Sequence, residues 1–272
     1  MHHEITGQAT PAEAVVLSAG LGGTTAFWAP QREALERHFR VVLMDQRGTG
    51  RNAEPLPAGY TIRHMAEDVL EVLDAAGIER AHLVGHALGG LVGLELARCA
   101  PQRLRRMVLV NAWARVDRHS ERCFDIRIAM LQSQGPAAYV AAQPLFLHTA
   151  PYLSAHHEHI LAEVARGTEH FQGADTLLKR IGALRGFDAR ADLAGMTTPA
   201  LVAASRDDLL VPWTASRDLA AGLPAAEFWL TPEGGHAFTV EQPEPFNAAM
   251  LNFLRGSSTA PADVWSGSGV TT

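Results

Sequence analysis

The sequence predicts an α/β protein, a mostly parallel sheet with helices on both faces and an inserted helical cap. Three observations carry that prediction. Short apolar runs alternate with segments of helical period, the pattern of repeated strand–helix units. The runs Val41–Met44 and Met107–Val110 are apolar without alternation, as strands buried on both faces are. From about Arg115 to Phe187 the alternation gives way to helical patterns alone, and then it resumes.

Taken in order, residues 1–14 are small and polar and have room for one short edge strand. Val15–Ser18 is a strand that ends in the permissive loop Ala19-Gly20-Leu21-Gly22-Gly23. Pro30 suits the first turn of a helix whose core face carries Leu35 and Phe39. The strand Val41–Met44 runs into the turn Asp45-Gln46-Arg47-Gly48-Thr49-Gly50, whose Arg47 is expected to brace its own loop. Thr61 is an N-cap for a helix carrying Ile62, Met65, Ala66, Val69, Leu70 and Leu73, which Gly77 closes. His82–Val84 is a strand followed by Gly85-His86-Ala87-Leu88-Gly89 and a glycine-rich helix running toward Cys99. That helix has almost no polar face, so it is buried against the sheet. After Met107–Val110 come helices around Phe124–Leu131, Ala137–Gln143, Ile160–Ala165 and Ala174–Leu184. Strands return at Ala200–Ala203 and Phe228–Leu230, and a last helix carries Phe246, Met250, Phe253 and Leu254 on one face. The expected organisation is a core of residues 1–114 and 188–255, a cap of residues 115–187, and a disordered tail of residues 256–272 rich in Ser, Thr, Gly and Pro.

Bulk properties narrow the function classes. The 272-residue chain carries 23 Lys and Arg against 29 Asp and Glu, a formal charge of −6, with no basic block. Nucleic acid is therefore not an expected partner. Two cysteines, Cys99 and Cys123, make no disulfide framework and fit a reducing compartment. The N-terminus lacks the shape of a signal peptide, and no apolar run reaches the ~18 residues of a membrane span. The expectation is a cytoplasmic protein acting on a small molecule, with no membrane or metal partner and no cofactor. A homo-oligomer stays open. The cluster His156, His157 and His159 matches no zinc spacing and reads as an exposed loop or helix start.

The chemistry centres on Gly85-His86-Ala87-Leu88-Gly89. A strand, two glycines three residues apart and a helix make a nucleophile elbow, whose tight turn pushes its middle side chain out of the sheet. Here that residue is Ala87, which has no hydroxyl. In parallel sheets the site lies at the carboxyl ends of the strands. Asp207 and Asp208 follow one late strand and His236 follows the next. The order elbow, acid, histidine makes His236 a general base oriented by a carboxylate. Asp208, four residues before Pro212, is chosen for that role, and Asp207 is read as a solvated loop carboxylate. The backbone N–H groups of Leu21 and Leu88 are candidates for an oxyanion hole. Gly20, Trp28, Trp113 and Phe171 are pocket candidates, with packing the default for the aromatics. Cys99 is expected in the core, and Cys123 in the cap lies within reach of the site. Arg115, Arg122 and Arg127 stand near the cap without a feature that marks one as a carboxylate anchor.

At these residues the chain resembles the α/β-hydrolases over about residues 15–255. More narrowly it is similar to the RutD family of pyrimidine utilisation. Besides the glycine loop, the Asp45–Gly50 turn, the elbow, the acid loop and Gly234-Gly235-His236-Ala237, two cap segments carry this likeness: Gln143-Pro144-Leu145-Phe146-Leu147 and His170-Phe171-Gln172-Gly173. The resemblance implies an α/β-hydrolase fold and a role late in uracil breakdown. It implies hydrolysis of 3-aminoacrylate to malonic semialdehyde and ammonia, or of carbamate to ammonia and carbon dioxide. Both compounds also decay spontaneously, and the resemblance implies that alanine also occurs at the elbow in that family.

An acyl-enzyme is unavailable at Ala87. The expected reaction is hydrolysis of a small labile C–N compound by water that His236 and Asp208 activate. Two alternatives stand beside it. One is a carboxylesterase or enol-lactone hydrolase whose elbow serine is replaced by Ala87. The other is a non-catalytic protein that binds a small ligand under the cap.

Overall fold

A computed structural model describes residues 1–9 and 12–256. Of the expected tail, only Gly256 falls among them; the rest lies outside the described residues. Among the described residues seven strands form one sheet: β1 (His3–Gly7), β2 (Ala14–Ser18), β3 (Arg40–Met44), β4 (Ala81–His86), β5 (Leu104–Val110), β6 (Ala200–Ser205) and β7 (Ala226–Thr231). The order across it is β1-β3-β2-β4-β5-β6-β7. β1 runs antiparallel to β3 at the edge, and every other pairing is parallel. The chain direction puts the loops after β2, β4, β5, β6 and β7 on one rim.

Alternate residues of the strands feed two apolar layers, as a period of two requires. Val15, Leu17, Val41, Leu43, Val84 and Val108 pack with Trp28, Phe246 and Phe253, which belong to the chain around α1 (Ala29–Glu36) and to α11 (Pro243–Leu254). Val16, Val42, Leu83 and Leu109 pack on the other face against α2 (Ile62–Ala75) and α3 (Leu88–Cys99). Thr61 caps α2 in a reciprocal box, with His64 in the position usually held by Glu or Gln. The buried helix α3 follows the elbow because glycine removes the obstacles. A side chain at Gly89 would run into the Ser18 carbonyl, and one at Gly90 would come within 2.7 Å of Ala112 Cβ. Cys99 is the last residue of α3 and is half-exposed, so it is not the core residue expected.

The helical insertion comprises α4 (Arg118–Gln134), α5 (Pro136–Leu147), α6 (Ala150–Ala155), α7 (His157–Glu169) and α8 (Ala174–Arg185). It leaves and re-enters the core at one point, where Arg115 and Asp188 form an antiparallel bridge and the Ala189 N–H donates to the Ala114 carbonyl at 2.9 Å. Its apolar side is continuous with the second layer, that of α2 and α3, through Phe124, Leu131, Tyr139, Leu177 and Ile181. α9 (Trp213–Gly222), α10 (Phe238–Glu241) and α11 follow in the described residues. Among the described residues no helix is long and apolar enough to cross a membrane.

Candidate active site

The elbow has the geometry its glycines predict. Ala87 stands at φ 47° and ψ −109°, a backbone that L-residues seldom adopt. Its N–H donates to the Val110 carbonyl at 2.7 Å, and its carbonyl accepts from Gly90 N at 2.9 Å. A side chain at Gly85 would strike the Gly89 carbonyl, so the turn closes only with glycine there.

His236 arrives from the loop after β7. Its Nδ1–H donates to Asp208 Oδ2 at 2.7 Å, and both side chains are buried. The other carboxylate oxygen of Asp208 accepts from the N–H groups of Leu210 and Val211 at 2.7 and 2.9 Å. Those contacts fix the carboxylate and, through it, the imidazole. The carbonyl of His236 is pinned from beneath, accepting from Asn111 Nδ2 at 2.8 Å and from His86 Nε2 at 2.9 Å. The two histidine rings lie 4.6 Å apart between centroids. Residue 236 is thus tied directly to the residue before Ala87. Burial holds the His86 imidazole well below the usual histidine range, with the charge of His236 adding to the effect, so His86 is a neutral prop.

Asp207 is exposed in its loop, as expected from sequence, but it is also hydrogen-bonded. It accepts from Ser205 Oγ at 2.6 Å and from the Gly235 N–H at 2.9 Å, tethering the loop that carries His236. Arg47 likewise reaches beyond its own loop. Its Nε donates to Asp68 of α2 at 2.9 Å, which ties the turn after β3 to that helix.

Leu21 and Leu88 face the same rim. Leu88 is the first residue of α3, so its N–H has no intrahelical acceptor. The Leu21 N–H also lacks an acceptor among the described residues. In a planar trans peptide the carbonyl of one residue and the N–H of the next point in opposite directions. The Gly20 carbonyl accepts from Gly23 N at 3.0 Å and from Arg180 Nη2 at 3.3 Å, which aims the Leu21 N–H the other way. The Ala87 carbonyl is engaged by α3, which does the same for Leu88. Arg180 comes from α8 in the cap, is wholly buried, and donates also to Gln46 Oε1. Gln46 in turn donates to the Ala19 carbonyl at 2.8 Å. Burial lowers the Arg180 pKa to about 10.

Three contacts bring the cap onto this rim. Leu147 at the end of α5 accepts from the Ala237 N–H at 2.8 Å, Gln172 Nε2 donates to the Leu21 carbonyl at 3.1 Å, and Ser120 Oγ of α4 donates to the Leu210 carbonyl at 2.8 Å. Phe171 is half-buried beside Tyr139, whereas Trp28 and Trp113 are core side chains, 0% and 2% exposed. Cys123 lies under the acid loop, its thiol 3.8 Å from the Leu209 carbonyl. A separate polar cleft of about 320 Å³, lined by Glu13, His82, Arg105 and Arg106, sits at the opposite ends of the strands, away from these groups. Among the described residues, no group of three or more His, Cys, Asp and Glu side chains is placed to hold a metal.

The alpha/beta hydrolase fold family matches residues 13–161. Relatives provisionally named carbamate hydrolase RutD extend over nearly the whole chain. The protein from Variovorax paradoxus (strain S110) is 51% identical over 255 residues, covering 93% of this chain and 96% of its own length. That from Agrobacterium fabrum is 49% identical over 256 residues, covering 93% and 98%. The chain belongs to the RutD family of α/β hydrolases. Among solved structures, this RutD-family chain is similar to the enol-lactonase of Burkholderia xenovorans LB400, with a TM-score of 0.84 and 29% identity over 93% of this chain and 96% of that one. A hydrolase from Pseudomonas aeruginosa PA01 has a TM-score of 0.83 and 34% identity, covering 93% of each. Like them, the RutD-family chain is a hydrolase.

Proposed function

We propose that the chain hydrolyses a small labile C–N compound, 3-aminoacrylate or carbamate, releasing ammonia late in uracil breakdown in the cytoplasm. The observation that carries this reading is an intact base and elbow around a missing hydroxyl. Asp208 and His236 are joined at 2.7 Å beside a strained elbow that presents only the methyl group of Ala87. With no alcohol to deprotonate, the Nε2 atom of His236 acts on water. The hydroxide adds to the carbonyl carbon of carbamate, or to C3 of the imine tautomer of aminoacrylate. In carbamate the negative charge develops on the carbonyl oxygen and is met by the N–H groups of Leu21 and Leu88; in the imine it develops on nitrogen, which takes the proton that His236 removed from water. Collapse of the adduct puts a proton on nitrogen, and ammonia leaves. Sites without a full triad retain on the order of 10³–10⁴-fold over water. That suffices for a substrate that already decays unaided.

The test is ammonia release from freshly generated aminoacrylate and from carbamate, corrected for spontaneous decay. His236→Ala should lower the enzymatic rate by about 10²–10⁴-fold, the usual worth of a general base. Equal rates with and without His236 would remove the reading. A second reading, an ester or enol-lactone hydrolase with a replaced serine, is favoured by the likeness to the Burkholderia enol-lactonase. It predicts that the chain turns over neither C–N substrate above the spontaneous rate, and that Ala87→Ser restores multiple turnovers of an ester or enol-lactone; ammonia release that depends on His236 in the wild type counts against it.

A further inference from the structure

The cap holds a buried cation whose charge no carboxylate balances. Arg127 of α4 is 4% exposed. Its Nη2 donates to Tyr139 Oη at 2.9 Å and to Gln143 Oε1, both neutral. Its Nε and Nη1 have no hydrogen-bond partner among the described residues, and its side-chain partners there, Tyr139 and Gln143, include no carboxylate. The rings of Phe124, Tyr139 and Phe146 surround it, with the guanidinium carbon 5.2, 5.5 and 5.6 Å from their centroids. Aromatic faces offset part of the loss of water around a cation. They do not satisfy N–H groups, and a buried charge with idle donors is unfavourable unless something pairs with it.

The neighbours of Arg127 locate it over the site from three sides. Cys123, one turn earlier on α4, approaches the carbonyl of Leu209 in the acid loop. Burial pushes the thiol of Cys123 up while Arg127 pulls it down and Asp208 pushes it up, so both charges reach the same sulfur. Phe146 precedes Leu147, which binds the loop of His236. Tyr139 lies against Phe171, 6.0 Å between centroids, and the next residue, Gln172, holds the Leu21 carbonyl. The histidine loop and the candidate oxyanion loop are thus each reached through one or two residues from an aromatic ring against Arg127, and the acid loop through Cys123 one turn earlier on the same helix.

We propose that Arg127 is the anchor for the carboxylate of a small anionic substrate, which its idle Nε and Nη1 groups bind under the cap. This rests on the C–N hydrolase reading above, whose two candidate substrates each carry an anionic carboxylate or carbamate group. Aromatic walls exclude water from the ion pair, so the anchor selects small anions over their neutral amides. Tyr139 and Gln143 hold Nη2 and leave the remaining donors in place for the ligand.

The experiment titrates the whole protein calorimetrically with propionate and with its neutral isostere propionamide. The wild type should prefer propionate by about ten-fold or more, the worth of a charge-assisted hydrogen bond. Arg127→Met should abolish that preference, Arg127→Lys should keep part of it, and His236→Ala should leave it intact. Propionate binding by a folded Arg127→Met variant at wild-type affinity overturns the proposal. If that variant does not fold, the wild type decides, because equal affinity for propionate and propionamide also overturns it. Binding is read without turnover, so the two readings fail separately. A carboxylate preference that depends on Arg127, with ammonia release indifferent to His236, leaves the anchor standing and removes the reaction.

Discussion

Alanine has no intrinsic reason to occupy φ 47° and ψ −109°, and residue 87 does so because its neighbours over-determine it. Such a backbone costs about 1–3 kcal/mol. It is retained although the side chain it would present has no hydroxyl. Ala87→Ser therefore needs no backbone change, and it should create what the native chain lacks. A burst of nitrophenol from p-nitrophenyl acetate is expected from the serine variant and not from the wild type; a folded variant without a burst would contradict the elbow geometry. Arg180 makes a second test. If it aims the Leu21 amide, Arg180→Met should lower kcat by about ten-fold with KM little changed, less than the 10²–10³-fold loss of a whole oxyanion donor. Arg180→Lys should restore part of that, and a matching rise in KM would point to a structural role alone. The identities of Asp208 and His236 were legible because chain order and strand ends mark them. Arg180, Asn111 and Asp207 were not. Their partners are backbone groups 160, 125 and 28 residues away, and such contacts leave no local pattern.

At the scale of elements, periodicity located the strands and the long helices, and it failed where tertiary contacts set the limits. The sequence places the second cap helix around Ala137–Gln143. In the structure α5 continues through Pro144 to Leu147. Its final turn closes with the His148 N–H on the Pro144 carbonyl at 2.9 Å and docks on the His236 loop. The six-residue α6 was not foreseen. It is too short to show a period, and its cap, Thr149, is held by Glu241 of α10 at 2.8 Å. The glycine spacing of α3 was informative because it reports how near the helix lies to the sheet. Gly89→Ala places a methyl group against the Ser18 carbonyl. It should destabilise the protein by about 1–3 kcal/mol, the range of overpacking, read from urea unfolding midpoints. An unchanged midpoint would mean that α3 sits farther from β2 than described.

Across the whole molecule, two histidines within the sheet couple stability to pH. Burial lowers the pKa of His86 and of His82, and the charge of His236 acts in the same direction on the first. Their unfolded values are about 6.5. Above that pH neither state binds the proton and the full stability is present. As pH falls through it, the unfolded chain takes up protons that the folded one refuses, and stability drops by up to about 1.4 kcal/mol per pH unit for each group. Urea unfolding at pH 5.5 should thus show a lower midpoint than at pH 7.5, and a flat profile over that interval would contradict the burial of both rings. The central claim is that attack on substrate comes from solvent at the place an alcohol would take. A crystal structure at high resolution measures this directly. The account predicts an ordered water beside the methyl group of Ala87, within about 3.2 Å of His236 Nε2. Side chains packed closed against that methyl group, with the imidazole turned elsewhere, would contradict it.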